Sequence, residues 1–268
     1  MLKKLFYLLM CAALFAGCRG GKDYEEKAVS GFLFEMVYVQ GGTFQMGATT
    51  EGWEYDNDEM PVHAVTLSDY YIGKHEVTQG LWKAVMGTSV EEQMEKSEEK
   101  QGLPGVGDNY PMYYVNWDEA QEFVRKLSEL TGKKYVLPTE AQWEYAARGG
   151  AKSKGFKYSG SNTIGNVAWY QGNCETGSNH PVGTKAPNEL GIYDMSGSVW
   201  EWCADWYDDE YYANSPQTNP AGPASGPGRV GRGGSSANDA WSCQVFHRDG
   251  SRPVCRAFRL GFRVAMVP

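Results

Sequence analysis

The sequence predicts an α+β domain, irregular and rich in loops. Three observations lead there. Helical periodicity, with caps, is confined to the segments between residues 78 and 149. Short alternating strands precede and follow those segments. The chain carries 33 glycines and 12 prolines in 268 residues, which implies many turns and little long helix. Apolar residues are 41% and charged residues 22%, ordinary for a globular chain and too apolar for disorder. The 9 tryptophans, 17 tyrosines and 10 phenylalanines can fill one sizeable core. A formal charge of −8 argues against a nucleic-acid partner, which needs a basic face.

At the N-terminus, Lys3 and Lys4 precede an apolar run from Leu5 to Ala16. That run is shorter than the roughly 20 residues a membrane span requires, and it reads as a secretory signal. Leu14-Phe15-Ala16-Gly17-Cys18 resembles a bacterial lipobox, in which residues 1–17 are removed and Cys18 is lipidated. An ordinary signal peptide cut near Ala16 is the alternative. A lipid on Cys18 anchors a chain without spanning the bilayer. The expected location is the cell envelope, lipid-anchored at the outer membrane of a Gram-negative bacterium. Losing Lys3 and Lys4 takes the formal charge from −8 to −10. Residues 18–33, polar and carrying Gly20, Gly21, Asp23, Glu25 and Glu26, read as a flexible tether. Residues 34–268 form the domain.

Within it, Val37–Gln40 and Thr43–Met46 alternate in polarity about Gly41-Gly42, the pattern of a hairpin. Ala64–Leu67 and Tyr71-Ile72 read as further strands. Thr78 caps a helix bearing Leu81, Trp82, Val85 and Met86 and stopped by Gly87. Asp118, with Gln121 three residues on, caps a second, whose face is Ala120, Phe123, Val124, Leu127 and Leu130 and whose end is Gly132. Thr139 with Gln142 opens a third, ending at Gly149-Gly150. Residues 91–101 are charged and read as an exposed insertion, helical or not. Residues 216–228, with their prolines and glycines, form an irregular loop. Arg256–Ala265 reads as a closing strand.

Chemistry is sparse. The histidines are His63, His75, His180 and His247, and no two stand at helical metal-binding spacing. No CxxC, phosphate loop or nucleophile elbow occurs. Glu54–Glu59 is acidic enough for calcium or is simply a solvated loop. Asp194 and Glu201 flank Gly197, so a turn could gather carboxylate and carbonyl oxygens about a hard cation; a loop cap and a core ion pair would use the same residues. Cys174, Cys203, Cys243 and Cys255 remain after export, where disulfides are favoured. Four cysteines allow three connectivities. Cys243, near Arg248 and Arg252 in sequence, reads either as a thiolate stabilised by positive charge or as one half of a structural disulfide.

Six ordered segments carry a family resemblance: Gly41-Gly42-Thr43-Phe44-Gln45-Met46-Gly47, His75-Glu76-Val77-Thr78, the run from Tyr135 to Gly150, Gly191–Met195 with Val199-Trp200-Glu201-Trp202, Arg232-Gly233-Gly234-Ser235, and Leu260-Gly261-Phe262-Arg263. From about Phe34 to the end the chain resembles the formylglycine-generating enzyme, or sulfatase-modifying factor, family. The resemblance implies a single domain akin to the C-type lectin fold, stabilised by calcium. It places calcium ligands at Asp194, Gly197, Val199 and Glu201, and a second site at Asn166 and Val167. It also implies oxidation of a sulfatase cysteine to formylglycine, with copper held by two cysteines. Cys243 matches one of them; Asn238 stands where the other belongs, and an amide is a poor ligand for Cu(I). Copper is therefore not expected, unless Cys255 folds back beside Cys243. Ser198 replaces the family's usual Asn. The resemblance puts Trp200, Ser235, Trp241 and Cys243 near a groove suited to a protein or glycan partner. Landmark order suggests Cys203 with Cys243 and Cys174 with Cys255. The expected function is that of an exported lipoprotein with a non-oxidase binding or assembly role. The alternative is an oxidoreductase modifying exported proteins through Cys243, with Ser235 assisting.

Overall fold

The computed structural model describes residues 21–27, 31–49, 54–175 and 178–267; the signal segment and Cys18 lie outside them. Three small sheets carry the architecture. β1 (Tyr24–Lys27), β2 (Leu33–Val39), β5 (Tyr70–Gly73), β11 (Ala265–Met266) and β6 (Tyr135–Val136) form a five-stranded sheet in that order. β10 (Leu260–Gly261), β7 (Trp200–Tyr207), β8 (Gly228–Arg232) and β9 (Arg248–Ser251) form a second. β3 (Gly42–Met46) pairs only with β4 (His63–Leu67). The helices are α1 (Gln79–Met86), α2 (Val90–Glu95), α3 (Trp117–Thr131) and α4 (Glu140–Ala147).

The caps of α1 and α4 are as expected. The Thr78 hydroxyl accepts the Leu81 N–H at 3.3 Å, and Gly87 closes α1 at φ 76°. Thr139 and Gln142 form a reciprocal box on α4. α3 begins two residues earlier than expected. Its box is Asn116 with Glu119, not Asp118 with Gln121. Both pairs have the right spacing, and Asp118 instead lies in the first turn, where an acid suits the helix dipole. The charged segment at 91–101 contains α2, boxed by Ser89 and Glu92, with Val90 and Gln93 buried; it is not wholly exposed.

Three further expectations fail for tertiary reasons. Val37–Gln40 and Thr43–Met46 do not form a hairpin: β2 pairs with β1 and β5, while β3 leaves for β4. The Gly41-Gly42 step is a crossing between sheets. A Cβ on Gly41 would lie 2.3 Å from the Leu67 carbonyl oxygen, so close backbone approach, not a hairpin turn, requires glycine there. Residues 256–265 are not one strand: β10 lies parallel to β7 in the second sheet, and β11 enters the first between β5 and β6. Nor is the segment 18–33 all tether. β1 pairs with β2, Tyr24 meets Tyr71 edge-on at 5.2 Å, and the Lys133 ammonium lies 3.9 Å from the Tyr24 ring centroid.

Two large apolar clusters fill the interior. One gathers α1 and α3 about Trp82, Phe123 and Phe262, with the Trp82 and Phe123 rings stacked at 5.6 Å. The other sets α4 against β2, β4, β5 and β8 through Trp143, Tyr70 and Phe246. Among the described residues no helix is long and apolar enough to cross a membrane.

Candidate functional site

The turn from Asp194 to Val199 organises the site. Asp194 and Ser198 adopt left-handed backbone at φ 59° and 62°, and Gly197 does so at 79°. A Cβ on Gly197 would lie 2.1 Å from the Trp169 carbonyl oxygen, so glycine is required twice over. Neighbouring loops stitch the turn in place. Ser198 N–H donates to the Trp169 carbonyl at 2.9 Å, Gly197 N–H to that of Gly233 at 2.8 Å, and Ser236 N–H to that of Ser198 at 2.8 Å.

Three buried carboxylates lie behind this turn, around one guanidinium. Arg263 Nε donates to Glu201 Oε2 at 2.6 Å and an Arg263 Nη to Oε1 at 2.7 Å; Trp143 Nε1 adds a bond to Oε2 at 2.8 Å. Two further Arg263 donors go to the Gly73 and Tyr193 carbonyls. The Asp194 carboxylate accepts Gly183 N–H at 2.7 Å. Burial, with Glu201 nearby, still pushes it up to about 6. Glu76 is 2% exposed, and neither of its oxygens has a hydrogen-bond partner. Burial and the carboxylates of Asp194 and Glu201 hold Glu76 well above the ordinary range, with Arg263 only partly opposing.

Several of the calcium ligands implied by the resemblance already have partners. Both Glu201 oxygens are taken by Arg263 and Trp143. The Asn166 carbonyl accepts Ala186 N–H at 3.0 Å, and Val167 packs beside Cys243. Calcium needs several oxygens with free lone pairs, and the described residues hold no group of three or more His, Cys, Asp or Glu side chains placed for a metal.

The thiol lies on the other side of the turn. Cys243 is fully buried against Tyr158 and Val167. Burial, with Asp239, pushes it up to about 12, although the N–H groups of Gly197 and Ser235 face it and oppose the shift. The expected stabilisation by Arg248 and Arg252 does not occur. Arg248 is committed to Glu140 through Nε at 2.7 Å and an Nη at 3.0 Å. Arg252 lines a different cavity, beside Cys255.

The four cysteines are free, so the disulfides expected from the exported setting are not formed. Cys203 belongs to the α4 cluster, Cys243 to the cluster of Tyr158, and Cys255 packs against the α3 cluster. The three are held apart, and Cys255 supplies no second sulfur. Cys174, on the turn whose Tyr170 packs beside Cys243, is the cysteine close enough to affect the buried thiol.

Asn238, where the resemblance puts a second sulfur, is tied firmly into its surroundings. Its side-chain oxygen accepts the Trp200 indole N–H at 2.9 Å and the Ser235 hydroxyl at 2.5 Å. Its backbone carbonyl accepts Gln171 N–H at 2.9 Å. Ser235 is thereby turned toward Asn238. Beside this lock, the half-buried Trp200 and Trp241 flank His247, with ring centroids 5.7 and 4.3 Å away. His247 Nδ1 meets the fully buried Glu59 at 2.8 Å. Trp200 and Trp241 thus share one neighbour, and that neighbour rests on a buried carboxylate. Sequence reasoning read Glu59 only as part of the acidic stretch 54–59 and gave Glu76 and His247 no role of their own. The available signal was an acid inside an otherwise buried motif, as at Glu76, and the acidic stretch 54–59. Also missed were Glu140 and Glu144, four apart on the buried face of α4, which hold Arg248 and Arg232.

These features define a class: an irregular three-sheet α+β domain with a glycine-rich loop around one buried cysteine. A family model described as the sulfatase-modifying factor enzyme 1-like domain matches residues 22–267. The chain belongs to that family. It is 34% identical over 256 residues to the chaperone protein LppX of Paenibacillus barcinonensis, covering 77% of this chain and 82% of that one. It is 31% identical to the formylglycine-generating enzyme of Streptomyces coelicolor, covering 86% and 88%. Among solved structures, Treponema denticola variable protein 1 matches with a TM-score of 0.79 and 35% identity, covering 92% of this chain and 99% of that one. PvdO of Pseudomonas aeruginosa matches with a TM-score of 0.71 and 26% identity, covering 87% and 94%. The expected fold and family are thus established.

Proposed function

We propose that this chain is an exported, lipid-anchored envelope protein that uses the fold to bind or assemble a partner, without the family's oxidase chemistry. The observation that carries this reading is Asn238. By the resemblance Asn238 stands where the second sulfur ligand belongs, and its amide oxygen is held by Trp200 and Ser235. Linear Cu(I) requires two soft donors, and the one aligned thiol is buried and protonated at neutral pH. A relative named as a chaperone favours a polypeptide partner over an oxidation reaction. The half-buried Trp200 and Trp241 offer aromatic area for such a partner.

Lipidation at Cys18 adds a geometric consequence. Tyr24, the start of β1, lies six positions after Cys18, so even a fully extended link reaches about 20 Å. The domain would stay close to the bilayer. The test is incubation of the Cu(I)-treated protein with a cysteine-containing sulfatase peptide. An unchanged peptide mass is expected; formylglycine formation would overturn the reading.

The alternative, an oxidoreductase modifying exported proteins, rests on Cys243 with Cys174 close by. It requires that Cys174 supply the second sulfur, and replacing Cys174 with Ser would abolish Cu(I) binding if it does.

A further inference from the structure

Two cysteines on neighbouring loops stand unjoined. Cys243 packs against the glycine-rich run, where a Cβ on Gly234 would lie 2.8 Å from its sulfur. Cys174 ends a turn that begins at Tyr170. The Asn173 and Cys174 N–H groups both donate to the Tyr170 carbonyl at 3.0 Å. The Asn173 side chain accepts the Tyr170 N–H and donates to the Ala168 carbonyl, each at 2.9 Å. The two loops meet at two points. Gln171 N–H donates to the Asn238 carbonyl at 2.9 Å, and Tyr170 packs on the cluster of Cys243, Tyr158 and Val167. Cys174 lies close enough for its charge to act on Cys243.

The surroundings of the two thiols are complementary. Cys174 is half-buried in an exposed stretch, with Gln171, Gly172, Asn173 and Glu175 open to solvent. Lys185 favours its thiolate, against the effect of burial. Cys243 is fully buried, and the Gly197 and Ser235 N–H groups face it. Cys203 and Cys255 belong to other clusters. An accessible thiol beside a buried one allows the first to exchange with an external disulfide and the second to displace what the first has captured.

We propose that Cys174 and Cys243 form a redox-modification site and close into an intramolecular disulfide by exchange with a small external disulfide. The Cys174 thiolate attacks one sulfur of that reagent and breaks its S–S bond. One half leaves as a thiol, and the other stays on Cys174. Cys243 then attacks the Cys174 sulfur, and the second half leaves as a thiol. The protons of the two cysteines end on the two released thiols, and two electrons pass from the cysteine pair to the reagent. An exported setting supplies such oxidants. The bond consumes both sulfurs that a soft metal would use, so the oxidised chain should bind no Cu(I). The pairing differs from the one that landmark order suggests, and it goes beyond the partner-binding reading without depending on it.

The probe is oxidised glutathione, added at low protein concentration to the full chain after purification under reductant and removal of that reductant. Samples are alkylated at intervals from minutes to hours, the range of disulfide exchange, and mapped by nonreducing peptide mass spectrometry. The expected product is a linked peptide pair containing Cys174 and Cys243, with Cys203 still free and both lost thiols recovered on reduction. Cys243→Ala removes the displacing sulfur at little change in volume, and it should leave glutathione held on Cys174. Cys174→Ser should leave Cys243 free throughout. The proposal is overturned if the parent keeps glutathione on Cys174 beside a free Cys243. A bond from Cys174 to Cys255 or to a second chain would overturn it too, as would two unchanged thiols after hours. These outcomes read only the bond, so they stand apart from the sulfatase-peptide assay and from partner binding.

Discussion

The side-chain oxygen of Asn238 accepts the Trp200 indole N–H at 2.9 Å, so the residue that the resemblance aligns with a copper ligand also anchors an aromatic ring. The indole can only donate, which fixes the orientation of the amide. Replacing Asn238 with Cys would restore the second sulfur that the resemblance implies and free Trp200. The variant should bind Cu(I) at least about tenfold more tightly than the parent in competition with a chromogenic chelator, since ligand softness governs that affinity. Equal affinity would show that burial of Cys243, not the missing sulfur, keeps copper out.

Thiol reactivity should divide the cysteines in two. Cys174 and Cys255 are half-buried, whereas Cys203 and Cys243 are fully buried and both raised by burial. The thiolate is the reactive form. In the native protein a maleimide should label Cys174 and Cys255 within minutes, and the other two only after denaturation. A Cys243 that labels natively, or four cysteines that prove disulfide-bonded, would contradict this arrangement.

Arg263 neutralises Glu201 and also faces Glu76 and Asp194. Arg263→Leu leaves these carboxylates buried without their cation and should cost about 3–5 kcal/mol, as breaking a buried pair typically does. Adding Glu201→Gln should recover part of that loss. Chemical denaturation of the two single variants and the double variant measures it, and strict additivity would mean that the pair is not coupled.

Asp205 is fully buried and accepts Glu140 N–H at 2.9 Å. Burial and the Glu140 carboxylate push it up to about 7, against an ordinary value of 3.8. Its protonated form is thus favoured in the folded state. The stability it contributes is complete below about pH 4 and is lost as pH rises to about 7. Relative to the parent, Asp205→Asn should therefore gain stability progressively over that interval. A constant difference between the two from pH 4 to 8 would refute the shift.

Lipidation predicts that globomycin leaves a longer precursor and that Cys18→Ala releases the protein from the membrane fraction. An unshifted band under globomycin would leave only a cleaved signal peptide.

Sequence and tertiary structure contributed different things here. Thr78, Thr139, Gly87 and Gly132 marked helix ends because a cap is an interaction within three or four residues, which spacing alone reveals. The six ordered segments identified the family, and with it the fold. Spacing also exposed Asn238, since its distance from Ser235 is a property of the chain. The partners of these residues were another matter. The Glu201–Arg263 contact spans 62 positions and Glu59–His247 spans 188, and no local pattern encodes either. The division of β2 from β3 arose because a glycine pair can serve a sheet crossing as readily as a hairpin. Whether Cys243 is reactive was decided by burial, and burial by which loops close over it. The raised carboxyl of Glu76 is likewise a consequence of its burial beside Asp194 and Glu201, with Arg263 opposing only in part. Charge balance in a core depends on how many neighbours compete for one cation, and only the folded chain settles that competition.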